Sequence, residues 1–506
     1  MLRIGSSNQN KVGLLRIGVY CLPPFLISFL FRLLSSNEIL WVQWILAFVL
    51  LQIPWLAYLN WKRRADEKIP VFALISFLYW VYFALALFWG ARTPSGVETP
   101  FEKEVPQEAV TWSLAMVVTG VCAVWVGMRV RLSNYLVPQN LPELRQGPSS
   151  THYLRFILVS ATLLGLLENL PYIAGEGGRQ ALTILTSWLP LLAFSILFRT
   201  VLIGVAAPID NVLVLGFLGL RFVVGLSSGW LGAFAAIIIV CAGIYVSEKR
   251  KIPRSALILV VLFTLFFQVG KQEFRRVYWT SDTETSKMDR VKFWTETSMA
   301  KWEEALSDPT GGALAEAVNL SLSRISLLTQ TANVIDLTPS TIPYQQGRLY
   351  SYLLFTWVPR AVWPDKPSMN EANQFYQVAY GISTEEAIES VSIGVGVLTE
   401  AYISFGWYGV IGIMFLMGIL YDIYRKICFS SSSGMLMTGF GIALLPQLIA
   451  VESQMAAYLG GIAQQVAFTL LFFIPVIRWR SQSLALGWTP LYVRSNVRTL
   501  SIVKHD

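Results

Sequence analysis

Residues 40–60, LWVQWILAFVLLQIPWLAYLN, contain no charged side chain. A stretch of that length matches the ~20 apolar residues a helix needs to cross the hydrocarbon core of a bilayer, where every backbone polar group must be satisfied within the helix. Comparable runs fall at 15–34, 70–91, 109–128, 152–173, 181–203, 210–226, 229–247, 254–270, 403–424, 434–453 and 457–477, so about twelve spans are predicted. With 54% hydrophobic and 14% charged residues and a mean hydropathy of +0.54, the chain lies outside soluble globular usage. The expected fold class is all-α, a polytopic membrane helix bundle.

Charge alternates between the linkers. Arg3, Lys11 and Arg16; Lys62, Arg63, Arg64 and Lys68; Arg129, Arg131 and Arg145; Lys249, Arg250, Lys251 and Arg254; Arg425 and Lys426; and Arg478 and Arg480 form the basic set, which the positive-inside rule assigns to the cytoplasm. The linkers at 35–38, 92–108 and 171–180 hold only Arg92, Lys103 and Arg179 as basic residues and face outward. The alternation closes with both termini cytoplasmic, passing through a tight turn, SSGW, at 227–230. The net charge of +8 is spread over these short groups, as orientation in a membrane requires, and implies no nucleic-acid partner. The first apolar run lacks a small-residue cleavage site, so no cleavable signal is expected.

This reading divides the chain into nine spans (1–270), one large extracytoplasmic loop (271–402), three spans (403–477) and a cytoplasmic tail (478–506). The loop is too long to be a mere connection. Residues 314–336 have the apolar spacing of an amphipathic helix that lies on the bilayer or caps the bundle. Beyond them, Pro343, Pro359, Pro364 and Pro367 predict an irregular but structured segment that carries Arg348, Arg360 and Lys366. A guanidinium offers a planar fork of donors suited to phosphate or diphosphate. The neighbouring aromatics Tyr350, Tyr352, Trp357, Trp363 and Tyr376 suit stacking on sugar rings, and equally anchoring at the headgroup level.

Several chemistries are disfavoured. His152 and His505 are the only histidines and both are assigned to the cytoplasmic side, so no histidine base or His-ligated metal is expected outside. Cys21, Cys122, Cys241 and Cys428 lie in or beside apolar runs without CxxC spacing. The linker SSNE offers Glu38 but no aspartate pair, and no phosphate-binding glycine loop opens a helix on the inner side.

The run GRLYSYLLFTWVPRAVWPDKPSMNEANQFYQVAYGI, followed by GVGVLTEAYISFGWYGVIGIMFLMGILYDIYR, resembles the outer loop and following helix of Wzy-type O-antigen and exopolysaccharide repeat-unit polymerases. The pattern is P-R-x-x-W-P-x-K-P, a Phe about ten residues later, then E-x-Y-x-x-F-G-x-x-G entering a span. At motif level it covers roughly 340–425. O-antigen ligases share this architecture. The resemblance implies a bundle of the GT-C glycosyltransferase type in the inner (plasma) membrane. It also implies polysaccharide biosynthesis for the cell envelope: transfer of a growing glycan from an undecaprenyl diphosphate carrier to a new lipid-linked repeat unit, without cofactor or metal. The partners implied are the undecaprenyl-diphosphate-linked oligosaccharide and membrane lipid, with a chain-length regulator and a flippase as candidate protein partners.

Departure of a lipid diphosphate needs cations where charge develops. Arg360 and Arg348 are the first candidates, with Lys366 supporting; for Arg360 an ion pair within the loop, with Asp365 or a nearby Glu, is the competing role. Arg221, in the seventh predicted span, is either a second phosphate contact or the structural partner of Glu168. Glu400 matches the acidic position of the pattern and is a candidate to orient the acceptor hydroxyl or act as base; capping a helix or pairing with Arg348 is the alternative. Trp363, Asp365, Arg179 and Glu168 complete the substrate-binding set. The outer linker 171–180 is shorter than its counterpart in many such polymerases, and it offers only Arg179. The competing functions are a ligase-type transferase, a transporter or flippase of lipid-linked sugars, and an assembly scaffold. The division into nine spans, a loop and three spans shows no pair of matched halves, which argues against a transporter.

Overall fold

The computed structural model describes residues 6–35, 37–89, 105–167, 175–279, 285–307, 326–356, 358, 363, 366, 367, 371–385, 388 and 394–481. Among the described residues, each of the twelve apolar runs falls wholly or in part on a helix. In chain order these are α1 (Ser6–Leu34), α2 (Trp41–Arg63), α3 (Val71–Trp89), α4 (Gln107–Gly127), α5 (Pro148–Leu164), α6 (Ala181–Leu202), α7 (Pro208–Ser227), α8 (Leu231–Lys249) and α9 (Arg254–Gln268). The loop region adds α10 (Lys271–Tyr278), α11 (Lys287–Ser307), α12 (Leu328–Leu337) and α13 (Glu371–Ala379). The chain then continues through α14 (Val397–Phe429), α15 (Met435–Leu448) and α16 (Met455–Phe473).

Among the described residues seven helices are long and apolar enough to cross a membrane, namely α2, α3, α4, α6, α7, α14 and Met455–Val476, an extension of α16. An eighth is added if α9 and α10, bent by 53° at Val269–Gly270, count as one. This arrangement is consistent with a multi-pass membrane protein. The other predicted spans lie on helices that are shorter or less apolar among the described residues. With 14 residues, α15 rises only about 21 Å against a core of about 30 Å, and most of its side chains are packed inside the protein. The apolar part of α1 is likewise short, Tyr20–Leu34, and contains Pro23 and Pro24.

The basic linkers meet at one end of the bundle. Lys68 donates its backbone N–H to Phe429 O (2.8 Å) and its Nζ to Ser433 O (2.7 Å), while Arg425 pairs with Glu67 (2.6 Å). Lys426 bonds Ser133 and Asn134, and Arg250 donates to the carbonyls of Trp61, Arg64 and Glu67. A two-stranded antiparallel sheet, β1 (Asn140–Leu144) and β2 (Ile477–Ser481), joins two more of them, with Glu143 bridged to Arg478 and Arg480. Five of the six linkers grouped by charge, those at 62–68, 129–145, 249–254, 425–433 and 477–481, therefore share one face among the described residues. At the other end, the linker predicted to face outward bonds the end of α3, through Ser35 Oγ to Phe88 O and Asn37 Nδ2 to Leu87 O.

The centre is the crossing of α4 and α14. A Cβ on Gly127 would lie 2.1 Å from Phe415 O, and one on Gly418 would lie 2.3 Å from Val124 O. Only glycine lets the two backbones approach this closely, the small-residue contact that holds apolar helices together where lipid gives no hydrophobic drive. Residues 326–336 of the segment predicted to form an amphipathic helix include most of α12; residues 314–325 lie outside the described residues. Rather than lying on a surface, α12 is inserted against α4 and α14. Leu328, Ala332 and Val334 are buried, Leu327 N donates to Tyr82 O (2.8 Å), and Thr331 Oγ1 meets Thr399 Oγ1 (2.8 Å). α9, α10 and α11 pack through a separate apolar cluster that includes Phe267, Phe274 and Trp294.

Candidate functional site

The helix α14 starts at Val397, six residues before the apolar run that predicts it, and it is broken at Gly406 (φ +61, ψ −145). That conformation belongs to glycine, and the break frees carbonyls of the preceding turn from the helical ladder. Two of them are taken by the loop: Gln345 N donates to Ile403 O and Gln346 N to Ser404 O, both at 2.9 Å. Side chains reinforce the junction. Tyr350 stacks on Phe405 (6.2 Å between centroids, 13° between planes), and a Cβ on Gly406 would fall 2.8 Å from Tyr344 Oη. The loop segment 344–350, which carries Arg348, is thus fastened to the helix that carries Glu400.

Glu400 lies in the first turn of α14 and is 0% exposed. Its Oε2 accepts the backbone N–H of Met455 (2.7 Å), the first residue of α16. Its Oε1 has no hydrogen-bond partner among the described residues, and neither do the buried Tyr350 Oη and Ser404 Oγ. Ser404 stands one helical turn beyond Glu400 on the same face. Burial raises the Tyr350 phenol well above its usual range and the Glu400 charge adds to this, with the nearby Ser404 hydroxyl opposing. Tyr350 is therefore a protonated donor beside the Glu400 carboxyl group, one oxygen of which has no partner among the described residues.

Arg348 opens a 3-10 turn (Arg348–Leu354) and is exposed. Its guanidinium lies over the Phe375 ring at 5.3 Å from the centroid. Phe375 and Glu371 sit four residues apart on one face of α13. Burial, with a hydrogen bond to the Glu371 carboxylate, pushes the Tyr352 phenol up to about 12, and the Arg348 charge pulls it the other way. Arg348, Tyr352, Glu371 and Phe375 thus form a surface cluster in which a forked cation rests on an aromatic platform.

The remaining predicted residues are placed as follows. Arg360, Asp365 and Glu168 lie outside the described residues. Lys366 is buried at 4% exposure and its Nζ donates to Val358 O (3.0 Å), so it ties the loop together from within. Trp363 is partly exposed and packs edge-on against Phe355 (5.4 Å). Arg221 is half-buried; its Nη2 donates to Thr186 O (3.1 Å) in the π-helical turn Ile184–Trp188 of α6, and it lies over Phe217. No described carboxylate pairs with Arg221. Arg179 is exposed near the start of α6. The structure joins Arg348 to Glu400 directly through segment 344–350. It sets Arg221 on a separate helix pair, with α16 touching both the 3-10 turn of Arg348 and the π turn that Arg221 caps.

Sequence reasoning missed Glu371, Ser404 and the Met455 N–H as members of these clusters. The four-residue spacings Glu371–Phe375 and Glu400–Ser404 were readable, but only once both segments are known to be helical. Among the described residues no three His, Cys, Asp or Glu side chains converge as metal ligands do. A family model described as "Domain of unknown function (DUF8712)" matches residues 150–440, more than half of the chain. No curated protein and no solved structure matches the chain.

Proposed function

We propose that this chain, which belongs to the DUF8712 family, is a multi-pass inner-membrane glycosyltransferase. In this reading it polymerises undecaprenyl-diphosphate-linked oligosaccharide repeat units into O-antigen or exopolysaccharide, on a GT-C-like bundle of about twelve membrane helices with both termini cytoplasmic. The supporting observation is the junction of segment 344–350 with the break at Gly406. It explains in physical terms why the pattern E-x-Y-x-x-F-G follows the arginine-bearing loop: Phe405 receives Tyr350, Gly406 frees the carbonyls, and Glu400 sets the helix start.

In this reading the exposed Arg348 meets the lipid diphosphate, with Arg360 contributed by the same loop and Arg221 by α7, while Lys366 holds that loop in shape from within. Breaking the sugar–diphosphate bond leaves an electron pair on a phosphate oxygen, and a fixed guanidinium lowers the energy of that developing charge. Because Arg348 rests on Phe375, its fork is oriented before substrate arrives, which is where preorganisation has value. Trp363, exposed beside this loop, offers a face for a sugar ring. Glu400 is sealed from solvent and bonded to α16, so it acts by position, holding the arginine loop and the start of α16 in register.

A gene deletion complemented with the wild-type chain tests the proposal. A missing polymerase leaves single repeat units on their final acceptor. Long glycan stranded on the lipid carrier would instead indicate a ligase-type transferase, and units trapped facing the cytoplasm would indicate a flippase.

A further inference from the structure

A second site lies at the opposite end of α14. Glu400 and Arg425 are separated by on the order of 30 Å of helix, and Arg425 borders a cavity of about 750 Å³ between α2, α3 and α4. Its walls are apolar, among them Leu56 of α2, Phe72 of α3, and Val121 and Trp125 of α4. Leu56 and Trp125 are each more than 40% exposed, so the cleft opens sideways, on the face that lipid would contact. Its charged rim is at the end where the basic linkers converge.

Three arginines and Glu67 stand at that rim; Glu67 pairs with Arg425, and the Arg64 charge also acts on it. Arg425 is paired with Glu67 (2.6 Å) and Asp422 (2.5 Å). Arg64 and Arg129 have no carboxylate within ion-pairing distance among the described residues, and both line the cavity. Arg129 lies over the ring of Trp125 at 4.1 Å. Arg64 caps the end of α2, where its carbonyl is held by Arg250, whose guanidinium also bonds Trp61 O (3.0 Å) and Glu67 O (2.5 Å). Two unpaired guanidinium groups at the ends of neighbouring helices, above an apolar cleft of ligand-binding size, match one chemistry: a phosphate head with acyl chains attached.

We propose that this cleft binds one anionic phospholipid from the surrounding bilayer, its phosphate between Arg64 and Arg129 and an acyl chain along Leu56, Val121 and Trp125. The inference rests on the membrane placement of the chain but not on its enzymatic reading. The site is built for a lipid of the leaflet at the basic end, remote from Arg348.

The full chain is reconstituted in nanodiscs of equal phosphatidylglycerol and phosphatidylcholine, extracted into detergent, and its retained lipid measured by mass spectrometry. The wild type should keep phosphatidylglycerol in clear preference. The double variant Arg64→Ala/Arg129→Ala should lose that preference about tenfold, the scale of a charge-assisted contact. Leu56→Trp, which fills the cleft and keeps both arginines, should release the lipid too. Arg64→Lys/Arg129→Lys should keep part of the preference and serves as the folding control. Equal retention of the two lipids by the wild type, unchanged preference in the double alanine variant, or displacement of the lipid by inorganic phosphate alone would each overturn the proposal.

Discussion

Glu400 Oε2 accepts the backbone N–H of Met455 at 2.7 Å, so the carboxylate in the first turn of one helix caps the first residue of another. The two residues are 55 positions apart, and their bond fixes where α16 begins relative to the arginine loop. Glutamine can make the same bond through its amide oxygen, whereas alanine cannot. Glu400→Gln is therefore expected to melt close to the wild type and to keep most of its polymer-forming activity. Glu400→Ala should be destabilised by about 1–3 kcal/mol through an unsatisfied buried N–H. Thermal unfolding in detergent and the polymer ladder of complemented cells measure the two effects. Loss of polymer in a stable Glu400→Gln protein would return Glu400 to the role of proton acceptor.

Gly406 holds a conformation that side chains rarely adopt, and a Cβ there would press on Tyr344 Oη at 2.8 Å. Gly406→Ala should cost about 1–3 kcal/mol and loosen segment 344–350. Limited proteolysis reads the loosening as faster cleavage in that segment. Cleavage and melting at wild-type values would show that the break does not hold the loop.

Asp422 is buried at 1% exposure and shared by Arg425 (2.5 Å), Lys426 (2.6 Å) and Ser133. Removing its charge leaves Lys426 without a carboxylate and Arg425 with Glu67 alone. Since both are about a fifth exposed, the cost belongs at the low end for a broken buried pair, about 3 kcal/mol. Asp422→Asn should lower the thermal midpoint and the yield of folded protein. The polymer made per folded molecule should stay unchanged, because the site around Arg348 lies at the other end of α14.

The helical class, the helical positions of the apolar segments among the described residues and the grouping of five of the six basic linkers were legible in the sequence, because each follows from hydropathy and charge along a single element. What was not legible depends on contacts between elements. Glu400 was recognised as an acidic position at a helix start, yet the helix it caps, α16, begins 55 residues later, and no local spacing reveals that. Lys366 reads as a free cation beside two prolines but is buried against Val358 O. Hydropathy alone does not separate a long apolar helix from a short one: α15 has the composition of a span but only 14 residues. The pattern Phe–Gly at 405–406 carried the strongest hidden signal, since it encodes both the stacking partner of Tyr350 and the break that docks the loop.

The central claim is that the exposed guanidinium of Arg348, set on Phe375 at the junction with α14, meets the diphosphate of a lipid-linked glycan. The most direct measurement is the length distribution of surface polysaccharide in deletion cells carrying Arg348→Ala or Arg348→Lys, with membrane levels matched to the wild type. Loss of the fork should cut chain extension by about a hundredfold in the alanine variant, leaving mainly single repeat units, and lysine should restore little of it. Long chains of normal distribution from a normally expressed Arg348→Ala protein would contradict the account.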